Sequence, residues 1–158
     1  MSLPSDVSIL LVEDDPDDVF LMRRAFKAAA ISNGVQLADT GQQAIDYLAG
    51  TGPYADRKAH PLPQLIFIDL KLPYKTGFEV MQWMREHSLL EGIAVVVLTS
   101  SSQPRDLEKA YQSGARSYLV KPPTAKMLQE IVGTLGPFWA KPKPAGSPST
   151  NLRAPLNE

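Results

Sequence analysis

Several side chains able to do chemistry sit directly after short apolar runs. Glu13 and Asp14 follow Ile9-Leu10-Leu11-Val12. Asp69 follows Leu65-Ile66-Phe67-Ile68, and Thr99 follows Val95-Val96-Val97-Leu98. Lys121 follows Ser117-Tyr118-Leu119-Val120. Carboxylates brought close together repel, so at least one is pushed toward its protonated form unless a cation intervenes. An oxygen-only donor set suits Mg2+, which binds through one or two carboxylates, waters and phosphate oxygens. Aspartate is a competent nucleophile toward phosphorus. A lysine charge and a hydroxyl beside it would hold the phosphoryl oxygens. The residue types point to metal-assisted phosphoryl chemistry, on the condition that the fold brings these distant run ends to one place.

The runs themselves state how that is done. Three of them are rich in β-branched residues and do not alternate with polar ones, the pattern of a strand buried on both faces. Val35-Gln36-Leu37-Ala38 and Ser117-Tyr118-Leu119-Val120 are weaker strand candidates. Helical stripes lie between them: Val19, Met22, Phe26 and Ala29; Ala44, Tyr47 and Leu48; Val80, Met81 and Met84; Leu107, Ala110 and Tyr111; Leu128, Ile131, Val132 and Leu135. Thr40 and Thr76 are placed to cap helices, and Gly34, Gly50 and Gly114 to end them. Five β-α units predict an α/β protein: a three-layer flavodoxin-like (βα)5 sandwich with a parallel sheet in the order 2-1-3-4-5. Ligands bind such sheets at the carboxyl ends of the strands, beside the switch in strand order. Those ends are where the acids, the hydroxyl and the ammonium stand.

Composition narrows the alternatives. The 158 residues suit one domain, with 16 Lys+Arg against 17 Asp+Glu and a formal net charge of −1. A chain that grips nucleic acid normally carries a basic excess, so no nucleic-acid partner is expected. There is no cysteine, which removes thiol catalysis, disulfides and thiolate metal sites. No apolar run approaches the ~18 residues of a membrane span, and the first residues do not read as a secretory leader. A cytoplasmic protein without a membrane partner is the expectation. Residues 1–6 read as an N-terminal extension, 7–139 as the domain, and 140–158, with Pro142, Pro144, Pro148 and Pro155, as a disordered tail. Residues 51–63 form a long loop before the third strand, read as a surface insertion.

Five motifs in order resemble the receiver domain of two-component response regulators: Ile9-Leu10-Leu11-Val12-Glu13-Asp14-Asp15-Pro16, Phe67-Ile68-Asp69-Leu70-Lys71-Leu72-Pro73, Gly77-Phe78-Glu79-Val80, Val97-Leu98-Thr99-Ser100, and Gly114-Ala115-Arg116-Ser117-Tyr118-Leu119-Val120-Lys121-Pro122. The resemblance spans residues 7 to about 139. It implies that Asp69 accepts a phosphoryl group from a sensor histidine kinase. Asp14 would be the principal acidic Mg2+ ligand and Glu13 its companion, acting through a metal-bound water. Asp69 and the Lys71 backbone carbonyl would complete the protein ligands. Lys121 would pair with the phosphoryl oxygen and Thr99 would be the switch hydroxyl. Tyr118 would be the switch aromatic, and the Lys121-Pro122 bond would be cis. Such a protein is a phosphoacceptor switch that catalyses its own phosphorylation and dephosphorylation, not an enzyme acting on a separate substrate.

The long loop and Phe138-Trp139, at the end of the fifth helix, resemble the single-domain regulators paired with phytochrome-type kinases. That resemblance implies a homodimer through the face of the fourth helix, fifth strand and fifth helix. Phe138 and Trp139 equally suit covering the domain's own core. Lys71, leaning over the phosphoryl group, would hinder water, whereas the small Ser101 would admit it, so the two do not set a lifetime. A haloacid-dehalogenase phosphatase would need an acid where Lys71 stands. A flavin carrier would need a phosphate-cradling loop where Glu13-Asp14-Asp15-Pro16-Asp17-Asp18 stands. Asp17 and Asp18 read as complements of a helix dipole, without chemistry.

Overall fold

A computed structural model describes residues 3–140. Strands β1 (Ile9–Val12), β2 (Val35–Ala38), β3 (Leu65–Asp69), β4 (Ala94–Thr99) and β5 (Ser117–Val120) form one parallel sheet in the order β2-β1-β3-β4-β5. The expected three-layer architecture is therefore the observed one. Every residue of β1, β3 and β4 is buried, which is why their runs do not alternate. β2 and β5 are the sheet's edges and only half-buried, which is why they read weakly.

Two cores flank the sheet. Leu10, Val12, Ile66, Ile68, Val95 and Val97 point to one side, beneath α2 (Gly41–Ala49) and α3 (Gly77–Glu86). Ile9, Leu11, Leu65, Phe67, Val96 and Leu98 point to the other, beneath α1 (Pro16–Ala28) and α5 (Ala125–Thr134). There Phe26 meets Phe67 edge-on, with ring centroids 5.3 Å apart. Burying a side chain of this size stabilises by about 1.5–3 kcal/mol, so the two cores fix the strand ends against one another.

The caps largely follow expectation. Thr40 accepts from the Gln43 N–H at 3.0 Å. Thr76 and Glu79 form a reciprocal capping box. Gly77 lets α3 start against the end of β3, because a Cβ there would lie 2.6 Å from the Asp69 carbonyl oxygen. Gly50 ends α2 in the left-handed region, and Gly114 follows α4 (Pro104–Gln112) with positive φ.

Three details differ. α1 ends at Ala28 and the chain turns away at Ala30, whose φ is 61°, rather than at Gly34. The Ile31 N–H bonds back to the Phe26 carbonyl at 2.9 Å, and Ile31 packs on the core, so the closing contact is made before the glycine is reached. α4 buries only Ala110 of its expected stripe and leaves Tyr111 47% exposed, because it packs on the sheet's β5 edge. Phe138 and Trp139 do not end α5; they belong to a separate turn of helix, α6 (Gly136–Ala140). Both pack against the α1/α5 core, and the Arg116 guanidinium lies 4.6 Å from the Phe138 ring centroid.

Loop 51–63 holds itself in place. It contains a turn of 3-10 helix at Gly52–Tyr54. Arg57 donates to the Tyr47, Leu48 and His60 carbonyls at 2.8, 2.8 and 3.1 Å, so it caps the C-terminus of α2. Tyr47, Tyr54 and His60 form a three-ring cluster, and the Tyr47 hydroxyl donates to the Pro61 carbonyl at 2.9 Å. In the N-terminal extension, the Pro4 carbonyl accepts from the Val7 N–H and the Asn33 side chain. The tail expectation, Ala140 aside, lies outside the described residues. Among the described residues no helix is long and apolar enough to cross a membrane.

Candidate functional site

The carboxyl ends of β1, β3, β4 and β5 bring together the acids, the hydroxyl and the ammonium that the sequence separates. One carboxylate oxygen each from Glu13, Asp14 and Asp69 lie within 4.8 Å of one another. Glu13 and Asp69 are buried and Asp14 is exposed, so the cluster opens to solvent on the Asp14 side. Glu13 is shut beneath the rim, and its Oε2 accepts the Asp15 N–H at 3.2 Å. Asp15 is the helix cap of the neighbouring pair: its Oδ1 accepts the Asp17 N–H at 2.9 Å. The adjacent Asp14 and Asp15 have thus separated into a cluster member and a cap.

Lys121 is the cation of the site. Its Nζ donates to Asp69 Oδ2 at 2.7 Å, Asp18 Oδ2 at 2.8 Å and Glu13 Oε1 at 2.9 Å. Desolvation opposes the charge, but the three acceptors outweigh it and raise the ammonium's pKa above its ordinary value. Burial pushes the Glu13 carboxyl the other way from an ionised acid, up to about 7. The bond from Lys121 restrains that rise and the charge of Asp69 adds to it. One ammonium therefore does not balance the acids around it. The oxygen-only donors and the surplus of negative charge fit a hard divalent cation.

Asp69 Oδ1 accepts the Lys71 N–H at 2.8 Å, which leaves both oxygens of this carboxylate held on known sides. The Lys71 side chain is exposed. Thr99 is buried at the end of β4, and its hydroxyl oxygen accepts the Ser101 N–H at 3.0 Å. The Ser101 hydroxyl is engaged with Asp106 at 2.7 Å. Tyr118 lies one strand over, half-buried, with its ring edge-on to Tyr111 at 5.9 Å. The Lys121–Pro122 peptide is cis, as the motif implies.

Of the seven residues singled out in the sequence, six stand at this edge of the sheet, and Tyr118 lies lower on β5, paired with Val97. The structure adds an eighth, Asp18, which had been assigned only to the helix dipole. A signal for it existed. Asp18 is the third residue of α1 after its cap, and helical side chains lean toward the N-terminus. An acid there reaches back over the rim.

Comparison with known proteins gives a consistent picture. A family model described as the response regulator receiver domain matches residues 9–133. Response regulator Rcp1 of Synechocystis sp. is 34% identical over 131 residues, covering 83% of this chain and 87% of Rcp1. A Mn2+-bound structure of Rcp1 superposes with a TM-score of 0.66 at 33% identity, covering 88% of this chain and 99% of that one. The bacteriophytochrome response regulator RtBRR gives a TM-score of 0.75 at 40% identity, covering 89% of this chain and 86% of that one. The phosphorylated cyanobacterial phytochrome response regulator RcpA gives 0.67 at 32% identity, covering 84% and 93%.

Proposed function

The chain belongs to the response regulator receiver family of two-component systems, and from that premise we propose that it is a phosphoacceptor switch whose acceptor is Asp69. The observation that carries the reading is the contact of Lys121 Nζ with Asp69 Oδ2 at 2.7 Å, inside the three-acid cluster. Residues 7–139 are the receiver unit in this reading. The phosphoryl donor is a phosphorylated histidine of a sensor kinase, of the phytochrome type by analogy with RtBRR and RcpA.

In the transfer, an Asp69 carboxylate oxygen attacks phosphorus. An O–P bond forms as the N–P bond of the phosphohistidine breaks, and the electron pair returns to the imidazole nitrogen. Lys121 pairs with a phosphoryl oxygen and offsets its charge. Asp14, Glu13, Asp69 and the Lys71 carbonyl are the groups that would hold Mg2+, and when bound the ion supplies neutralising charge at the phosphoryl oxygens. Thr99 then donates its hydroxyl to the phosphoryl group. Tyr118 follows inward, and the movement is read out on the face of α4, β5 and α5. Support for that route is the contact of Tyr118 with the exposed Tyr111 of α4. The phosphoryl group stabilises a conformation of that face already accessible to the protein, which then binds a partner or a second copy of the chain.

The test is incubation with acetyl phosphate, with and without Mg2+, beside Asp69→Asn. Intact mass follows modification and light scattering follows association. The expected result is a gain of one phosphoryl mass that requires both Mg2+ and Asp69. Modification that survives in Asp69→Asn, or a folded wild type that takes up none from either acetyl phosphate or a phosphorylated sensor kinase, overturns the reading.

A further inference from the structure

An ammonium has three N–H groups to give, and Lys121 gives all three to carboxylates: Glu13, Asp18 and Asp69. Two of these acceptors, Glu13 and Asp69, also belong to the three-acid cluster. Asp18 does not. It comes from the first turn of α1, its side chain is 28% exposed, and its Oδ2 lies 2.8 Å from the nitrogen. Its neighbour Asp17 offers the same charge to the same helix end, yet makes no ion pair among the described residues. Dipole complementarity accounts for Asp17 and leaves the placement of Asp18 unexplained.

We propose that Asp18 is a positioning residue for phosphoryl transfer, tethering the Lys121 ammonium beside Asp69 from outside the metal-binding cluster. The proposal rests on the reading of Asp69 as phosphoacceptor. Its logic is a matter of which partners Lys121 can keep. A cation in the cluster draws on the oxygens of Glu13, Asp14 and Asp69, and a phosphoryl group occupies an oxygen of Asp69. Lys121 then loses claims on two of its three acceptors at the moment its charge is needed. Asp18 is the acceptor that neither event removes. With one N–H held there, the head of a flexible four-carbon stem stays in place, and two N–H groups are left to face the phosphoryl oxygens. Without that hold, ordering the lysine costs side-chain entropy at each transfer.

The experiment compares Asp18→Ala, Asp18→Asn and Asp17→Ala with wild type, all at saturating Mg2+, so that any change in metal affinity drops out. The rate of phosphorylation by acetyl phosphate is measured by intact mass. The Lys121 ammonium is followed by 15N NMR, where a held ammonium exchanges its protons slowly. The loss of one charge-assisted hydrogen bond predicts a rate about tenfold lower in Asp18→Ala, with faster proton exchange at Lys121. Asp18→Asn, which keeps an acceptor oxygen without the charge, falls between. Asp17→Ala, which removes the same formal charge from the same helix turn, leaves both readouts at wild-type values.

A wild-type rate in Asp18→Ala overturns the proposal and leaves the phosphoacceptor reading standing. An equal loss in Asp17→Ala also overturns it, because helix charge would then be the cause. A wild type that takes up no phosphoryl group at Asp69 removes the phosphoacceptor reading and this proposal together.

Discussion

Two cations of this protein are each held by three acceptors, and the acceptors make them opposites. Arg57 donates to three neutral carbonyls at the end of α2 and in its own loop. Lys121 donates to three carboxylates. The first arrangement is complete in its hydrogen bonds: a charged donor meets the negative end of a helix, and its acceptors are carbonyls that do not repel one another as anions would. The second is unbalanced, with more anions than the single ammonium neutralises, and Glu13 sits under strain from burial and from Asp69. A loop built the first way is architecture. A rim built the second way is receptive to a further cation and, through it, to an anionic group.

The contrast breaks most visibly at Lys121. Replacing it with Ala leaves buried carboxylates without their cation, and removing one partner of such a pair costs about 3–5 kcal/mol when it is fully buried; partial exposure of the lysine puts this site toward the lower end. Urea unfolding without metal should show the loss, and added Mg2+ should restore a large part of it. If Mg2+ restores nothing, the rim is not short of positive charge.

Arg57→Ala is the matched experiment on the other cation. It leaves neutral carbonyls short of a donor, at a cost of about 1–3 kcal/mol. Mg2+ should not repair it, and phosphoryl uptake at Asp69 should match wild type once the protein is folded. A metal-dependent rescue would mean that the loop and the rim are coupled after all.

The smallest effect is the pH dependence of Glu13. Its carboxyl has a folded-state pKa of about 7, above the ordinary 4.5. Its contribution to stability is therefore fully present below the ordinary value and is lost as the pH rises through about 7. Glu13→Gln has no such dependence. In metal-free protein, the melting temperature of the variant relative to wild type should climb between about pH 4.5 and 7 and then level off. A flat difference would mean that Glu13 is not strained in the metal-free rim.

The same contrast explains what could be read from the sequence. The strand order and the positions of Glu13, Asp14, Asp69, Thr99 and Lys121 were legible because buried parallel strands announce themselves as unbroken apolar runs, and their ends mark the rim. Asp18 was not, because an acid in a first helical turn already has a sufficient local explanation, and only the position of Lys121 reveals a second one. Arg57 was hidden for a related reason. A lone arginine in a loop of thirteen residues, 51–63, carries no periodicity, and its partners are backbone carbonyls, which sequence does not distinguish. The turn at Ala30 after α1 shows a third case: a tertiary contact through Ile31 overrode the preference for glycine at a left-handed position.

The bonds at Lys121 are also long-range, joining residues 108, 103 and 52 positions apart. During synthesis the acids of β1 and β3 emerge long before the fifth strand that carries their counter-charge. Until β5 docks, the nascent sheet has an acidic rim with no lysine in it, and its fourth strand is still an open edge. The last strand to arrive thus completes the sheet and brings the Lys121 ammonium to its rim, so in the phosphoacceptor reading competence for phosphoryl uptake waits on the end of folding.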